Sequence, residues 1–383
     1  MPSPHLAVLA TLFVVEAQAF VPMRYVPRRQ VFHVRMNLGE NMESQLKTAA
    51  DVAAAASAAR EFMRLGNSEH VDEKPTLDLE VTPYYDMSAI PINTFKNKQP
   101  HQGAIMNVKR IVGVDAPGEV CHIKINSGPE FRYWEGQSLG IIPPGTNPKN
   151  GKPNSVRLYS IASTRYGDDL DGNSVSLCVR RAVYWDEALG AEDPAKKGVC
   201  SNYLCDAQPG TVVSMTGPTG KVMLMPEATP DADLIMVATG TGIAPYRGFL
   251  RRLFVEGTPA NAAYKGLAWL VLGVPTSDGL LYDEDWQAIA ARKPDNFRLT
   301  YAISREQSTA DGRKMYVQDR LAESAEELFE RLDNGAHIYF CGLKGMMPGI
   351  LATLEEVAVA RGIEWAPKLE SLKKAGQWHV EVY

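Results

Sequence analysis

Cysteine is scarce and poorly placed for cross-linking: the 383-residue chain has five, with no C-x-x-C pair among them. Cys121, Cys178, Cys200, Cys205 and Cys341 are odd in number and scattered, which argues against a disulfide framework, a zinc site and a secreted protein. Long apolar runs are also missing. The one candidate, Leu6 to Val15, is too short to span a bilayer. There is no basic surplus either, since 40 Lys and Arg stand against 45 Asp and Glu, a net charge of −5. A generic nucleic-acid binder needs the opposite sign, so an acidic partner would have to be recognised by a local basic patch. No internal repeat is visible. What remains, 45% hydrophobic and 22% charged residues, is globular in composition and long enough for two domains with appendages.

At the N-terminus the Leu6–Val15 run leads into Glu16-Ala17-Gln18-Ala19, a small-residue cleavage pattern, and then into Phe20–Arg35, which has four Arg and no acid. This pairing resembles the two-part presequence of proteins sent to plastids acquired by secondary endosymbiosis. Residues 1–36 are therefore expected to be a bipartite targeting segment; secretion and a disordered terminus are the plainer alternatives. Its removal, with four Arg and one Glu, leaves 36 basic and 44 acidic residues and a net charge of −8. Residues 37–95 are expected to be a linker. Within it Met42–Arg64 is alanine-rich with high helix propensity, and reads as a tether or peripheral helix or as a frayed linker helix.

From Gly103 to Met225 the chain shows short alternating strands between Gly/Pro turns, at 104–112, 120–125, 138–142, 156–161, 174–179 and 212–215, with one short helical candidate at 201–205. That spacing predicts an antiparallel barrel. From Asp231 strands at 234–238, 266–274, 297–303, 337–341 and 378–382 alternate with helices at 243–256, 283–292, 316–333 and 345–361, the pattern of a doubly wound parallel sheet. The predicted boundaries are 96–228 and 229–383.

The stretch Leu234–Leu250 reads as strand, tight loop and helix, with Thr239-Gly240-Thr241-Gly242 at the turn and Pro245 opening the helix. Gly240 and Gly242 would let backbone approach a diphosphate at a helix N-terminus. Pro245 stands where the dinucleotide fingerprint has its third glycine, so nucleotide binding and a plain strand-to-helix turn both remain open. In Arg157-Leu-Tyr159-Ser160, alternation puts Arg157 and Tyr159 on one face and Ser160 on the other. An Arg beside an aromatic suits a flavin with a diphosphate tail; an ordinary barrel strand is the alternative. Gly198-Val-Cys-Ser201-Asn202 offers a flexible glycine and a Ser or Asn cap, either a phosphate cradle or simple capping.

These segments, with Leu177-Cys178-Val-Arg180-Arg181 and Tyr184, Ser304-Arg305-Glu-Gln307 with Lys314-Met-Tyr316, Cys341-Gly342-Leu343-Lys-Gly345 and the terminal Trp378–Tyr383, follow one another as in the plastid-type ferredoxin–NADP reductases. The resemblance covers residues 95–383. It implies an FAD-binding barrel followed by an NADP-binding α/β domain. Tyr159 and Tyr383 would flank the flavin, Arg157 and Ser201 would hold its diphosphate, and Tyr184 would stack near the adenine. Cys178, Gly198, Val199 and Cys200 would complete the FAD site. Thr241 and Arg180 would contact the NADP diphosphate, Gly342 and Leu343 would line the same site, and Ser304, Arg305, Lys314 and Tyr316 would take the 2′-phosphate. Two cations, a hydroxyl and a phenol complement a dianion, which favours NADP over NAD. Around the reacting atoms the resemblance implies Ser160, Cys341, Glu381 and Tyr383, with Tyr383 moving aside for the nicotinamide.

The partner implied is ferredoxin, an acidic iron–sulfur protein, docked by Lys149, Lys152, Lys373 and Lys374, the local patch that a net charge of −8 requires. A further lysine often precedes the Arg-x-Tyr-Ser motif in the family, where this chain has Ser155. The implied activity is electron transfer between ferredoxin, one electron at a time, and NADP, as hydride, through FAD. NADPH formation in photosynthesis, in the stroma or at the thylakoid surface, is the expected role, although direction is not encoded in the sequence. A diaphorase or flavodoxin-type reductase of the same superfamily is the nearest alternative, and a nucleotide sensor without turnover is the alternative of another class.

Overall fold

The computed structural model describes Glu80, residues 89–148 and residues 150–383. The expected presequence, the helix at 42–64 and Lys149 lie outside the described residues. Among the described residues no helix is long and apolar enough to cross a membrane.

The first half is a six-stranded antiparallel sheet built from β1 (His101–Arg110), β2 (Val120–Asn126), β3 (Ser138–Ile142), β4 (Arg157–Ser160), β5 (Ser174–Arg180) and β8 (Val212–Thr219), in the order β4-β3-β8-β1-β2-β5. The ends of that order meet: Ile161, just past β4, bridges Leu177 of β5, and Ala162 N–H donates to the Ser176 carbonyl at 2.8 Å, so the sheet closes as a barrel. Alternation explains its interior, where Ile123, Ile125, Leu139, Ile141, Val175 and Leu177 are fully buried. Each such side chain contributes roughly 1.5–3 kcal/mol. Between β5 and β8 lie a small hairpin, β6 (Trp185–Asp186) with β7 (Ala191–Glu192), which the sequence did not announce, and helix α1 (Val199–Cys205).

One irregularity matters for the site. Ser138 pairs with Thr219 and Gly140 with Thr216, so β8 carries one extra residue opposite the start of β3. Such a bulge re-aims neighbouring side chains, and Ser138 sits beside it.

The second half is a five-stranded parallel sheet, β11 (Phe297–Ile303), β10 (Ala268–Val274), β9 (Leu234–Thr239), β12 (His337–Gly342) and β13 (Trp378–Val382), in that order. In β9, Leu234, Met236 and Ala238 join one core while Ile235 and Val237 join the other, so the strand is buried on both faces and its sequence is an unbroken apolar run. Helices α2 (Ala244–Phe254), α3 (Pro259–Ala263), α4 (Asp283–Arg292), α5 (Val317–Glu323), α6 (Ala325–Asp333), α7 (Met346–Ala360) and α8 (Trp365–Lys374) accompany the sheet. The helix expected at 316–333 is broken at Ser324, whose φ of −115° and ψ of 25° are not helical. Helices α3 and α8 were not expected: α3 is a single short turn, and in α8 Pro367 masks a first turn that tolerates it.

Buried ion pairs tie the two halves together. Arg247 of α2 donates to the Ala162 carbonyl at 2.8 Å and to Asp168 at 2.7 Å, and Arg252 reaches Glu80, Glu227 and, at 3.9 Å, Glu135, which itself pairs with Arg165 within the barrel half. Removing one member of such a pair is the costly change, since it leaves a charge buried alone.

Candidate active site

The parallel strands all end on one side of their sheet, and β10 and β12 flank β9 there, which makes that edge the topological switch point where α/β proteins bind ligands. The ends of β9, β11, β12 and β13 place Thr239, Ser304, Cys341 and Glu381 along it. Register brings the last two together, because Cys341 and Glu381 are parallel partners.

The barrel supplies the facing wall. On β4 Arg157 is exposed and Tyr159 is half-buried, packed on the barrel core. Ser160 points the other way, as alternation requires, with its Oγ 4.0 Å from Cys341 Sγ and donating to Glu381 Oε1 at 3.4 Å. Residues separated by up to 221 positions thus converge. Ser138, which sequence reasoning missed, donates to the same Glu381 oxygen at 2.6 Å. Cys341 is fully buried, and burial pushes its thiol up to about 12, so it stays uncharged and contributes shape.

Tyr383 ends the chain at this corner. Its backbone N–H donates to the Gly342 carbonyl at 3.0 Å and its carbonyl accepts from Lys344 N–H at 2.9 Å. Its hydroxyl lies 2.6 Å from Thr241 Oγ1, while the residue as a whole is 58% exposed. The Thr239–Gly242 turn is a short 3₁₀ segment, Gly240–Ile243, ahead of α2. Its glycines differ in role: a Cβ on Gly242 would meet the Cys341 carbonyl at 2.0 Å, whereas Gly240, at φ +52°, faces open space. Gly242 therefore serves close packing of the turn against the end of β12, and only Gly240 has room for a ligand. Thr239, also missed, accepts from Leu343 N–H at 3.1 Å, and Gly342, at φ +138°, fits so tightly against it that a Cβ would meet Thr239 Oγ1 at 2.3 Å.

Around α1 the expected capping is absent: Gly198 is the N-cap and no side chain caps it. Ser201 Oγ instead accepts from Ala182 N–H at 3.1 Å, leaving its own O–H to donate. Asn202 holds the turn, its amide donating to the Gly198 and Ala182 carbonyls at 2.7 and 2.8 Å. Val199 is exposed, but Cys200 is buried with its thiol toward the Ile141 carbonyl, and Cys178 is buried beside Tyr282. Those two cysteines offer a ligand main chain only. Tyr184 is 47% exposed beside the hairpin, with the Lys196 ammonium 4.7 Å from its ring centroid. Arg180 is exposed and donates to the Pro117 carbonyl at 3.2 Å.

Beyond β11, Ser304 N–H and Arg305 N–H donate to the Val274 and Pro275 carbonyls, which turns both residues out past the strand end. Lys314 bridges back to Ser308, and Tyr316 begins α5, its N–H donating to Asp319 at 2.8 Å. Arg305, Lys314 and Tyr316 are exposed, and neither cation has a carboxylate partner among the described residues.

Residues 236–351 match the oxidoreductase NAD-binding domain family. The embryo isozyme of chloroplastic ferredoxin–NADP reductase from Oryza sativa is 60% identical over 294 residues, covering 76% of this chain and 78% of that one. The chain belongs to the ferredoxin–NADP reductases. The chloroplastic reductase of Chlamydomonas reinhardtii is 58% identical over 77% of this chain and 83% of its own. Among solved structures, the Plasmodium falciparum reductase superposes with a TM-score of 0.61 at 28% identity, over 76% of this chain and all of that one. The same reductase with 2′P-AMP gives 0.60.

The residues present fit the flavin dinucleotide that the reductase family implies. Exposed Arg157 donates only to its neighbour's carbonyl and has no carboxylate partner among the described residues, the Ser201 hydroxyl can donate beside it, and the rings of Tyr159, Tyr184 and Tyr383 are not fully covered. Donors without acceptors, next to bare aromatic faces, are the chemistry of a diphosphate joined to flat rings.

Proposed function

We propose that the protein transfers electrons between ferredoxin and NADP through FAD, in a plastid. The observation that carries this reading is the convergence of Ser160 from the barrel with Cys341, Glu381 and Tyr383 from the parallel sheet, at the seam where two nucleotides would meet. Bound FAD supplies the exchange between one-electron and hydride chemistry. The protein's part is to bind, orient and exclude water. Arg157 and Ser201 would hold the FAD diphosphate, with Gly198, Val199, Cys200 and Cys178 presenting backbone; Tyr159 and Tyr383 would flank the flavin, and Tyr184 would stack near the adenine. Thr241, Arg180, Gly342 and Leu343 position the NADP diphosphate, and Ser304, Arg305, Lys314 and Tyr316 take its 2′-phosphate. Ser160 and Glu381 form a hydroxyl–carboxylate pair able to carry a proton inward. Cys341 keeps the two rings at contact distance by its shape.

Tyr383 serves as a gate in this reading. It cannot stack where the nicotinamide must stack, and an exposed ring on an anchored backbone can swing aside. Ferredoxin docks through Lys149, Lys152, Lys373 and Lys374. The last two are exposed at the end of α8, where they also complement the helix dipole. The plastid location is supported by relatives named as chloroplastic. We extend it to a secondary plastid on the character of residues 1–36, to stroma or thylakoid surface, and to NADPH formation as the output, with 37–95 as linker, 96–228 as the FAD domain and 229–383 as the NADP domain. Purified protein is expected to be yellow, to reduce ferricyanide with NADPH, and to reduce NADP with reduced plastid ferredoxin faster than it runs in reverse. A colourless, inert preparation would reject the enzyme; a faster reverse reaction would reject the photosynthetic direction.

A further inference from the structure

Two serines reach one carboxylate oxygen. Ser138 and Ser160 are antiparallel partners on β3 and β4, and both hydroxyls donate to Glu381 Oε1, at 2.6 and 3.4 Å. A carboxylate oxygen has two lone pairs, enough for both. The distances set the division of labour: 2.6 Å is the length of a strong charge-assisted bond, whereas 3.4 Å is near the limit of contact. Glu381 stands two residues from the chain end and is only half-buried, so water competes for its carboxylate. Ser138 is 3% exposed and is aimed at the seam by the β3–β8 bulge. It is the better-fixed of the two anchors.

We infer that Ser138 is a positioning residue for the reaction, holding the Glu381 carboxylate across the seam within reach of the Ser160 hydroxyl. It acts only through Glu381 and touches neither nucleotide. The inference rests on the proposed role of Glu381, and a double-mutant cycle separates the two. Ser138→Ala, Glu381→Gln and the double variant are prepared as holoenzymes, and flavin bleaching by NADPH is followed by stopped flow across pH. Ser138→Ala is expected to slow bleaching about tenfold, the worth of a hydrogen bond to a charged group. The double variant should be no slower than Glu381→Gln and share its pH profile, while Ser138→Thr, which keeps the hydroxyl, should stay near the wild-type rate. Multiplying effects, an unaffected Ser138→Ala enzyme, or a Ser138→Thr enzyme as slow as Ser138→Ala would each overturn the inference while Glu381 keeps its role. A Glu381→Gln enzyme at the wild-type rate would remove that role, and the inference with it.

Discussion

At the floor of the seam Ser138, Ser160 and Glu381 satisfy one another and Cys341 is sealed from water, whereas at the outer rim Arg305, Lys314 and Tyr316 stand in solvent with their polar groups unspent. The floor is set by folding: its members come from the barrel and from the far end of the chain and hydrogen-bond to one another. The rim lies within twelve residues of sequence after one strand end, 305–316, and its cations have no carboxylate partner among the described residues, as the proposed 2′-phosphate site requires. A preorganised floor suits reacting atoms, where misplacement is costly, and an open rim suits a nucleotide that must leave after each turnover.

The rim is the place to produce the largest effect. Arg305→Glu turns an attraction for the 2′-phosphate into a repulsion and should raise KM for NADPH by about 100-fold while leaving NADH rates little changed. An unchanged KM for NADPH would take Arg305 out of the site.

The buried contact between the two halves at the far end of α2 can be probed through Glu256. Burial pushes its carboxyl up to about 7 from the ordinary 4.5; Thr164 donates to Oε1, and Oε2 has no partner among the described residues. Because the folded value lies above the unfolded one, folding favours the protonated form, and stability declines as pH rises from about 4.5 through 7. Glu256→Gln should therefore stabilise by about 3 kcal/mol near pH 8 and by less than about 1 kcal/mol near pH 5, read from thermal melts at both. Equal gains at the two pH values would contradict a titrating Glu256.

Tyr383 stands two residues beyond Glu381, with its hydroxyl 2.6 Å from Thr241 Oγ1. Tyr383→Ser should tighten NADP binding about tenfold, because the ring no longer competes for the stacking site, and slow turnover with ferredoxin by delaying release. Unchanged binding and turnover would sink the gate. The smallest effect is expected at the docking lysines: Lys373→Gln with Lys374→Gln should cut electron transfer from ferredoxin by about threefold at low salt and less at high salt. A salt-independent rate would place the ferredoxin surface elsewhere.

The fold class was legible from period. Continuous apolar runs at 234–238 and 337–341 belong to strands buried on both faces, and alternation in 120–125 and 174–179 to a barrel wall. The exposed cations past β11 were legible as a group too, since residues following one strand end are close in sequence. Less visible were α8, because Pro367 interrupts a pattern that the first turn accommodates, and the break at Ser324, because no helix breaker stands there. Capping at α1 was misread, since Ser201 and Asn202 reach back to Ala182 and Gly198 and not to the helix N-terminus. Nothing local marks Ser138 as a site residue, and the motif at 239–242 does not show what Thr239 bonds; their partners are Glu381, 243 positions away, and Leu343, 104 positions away.

By itself the sequence determined the strands of both sheets and most of the helices, because hydrophobic period and residue type act over short spans of chain. Tertiary structure alone decided which groups meet. A bulge opposite β3, the pairing of β3 with β4 and the parallel register of β12 with β13 bring Ser138, Ser160, Cys341 and Glu381 to one point, and register is a property of strands in contact rather than of any strand alone.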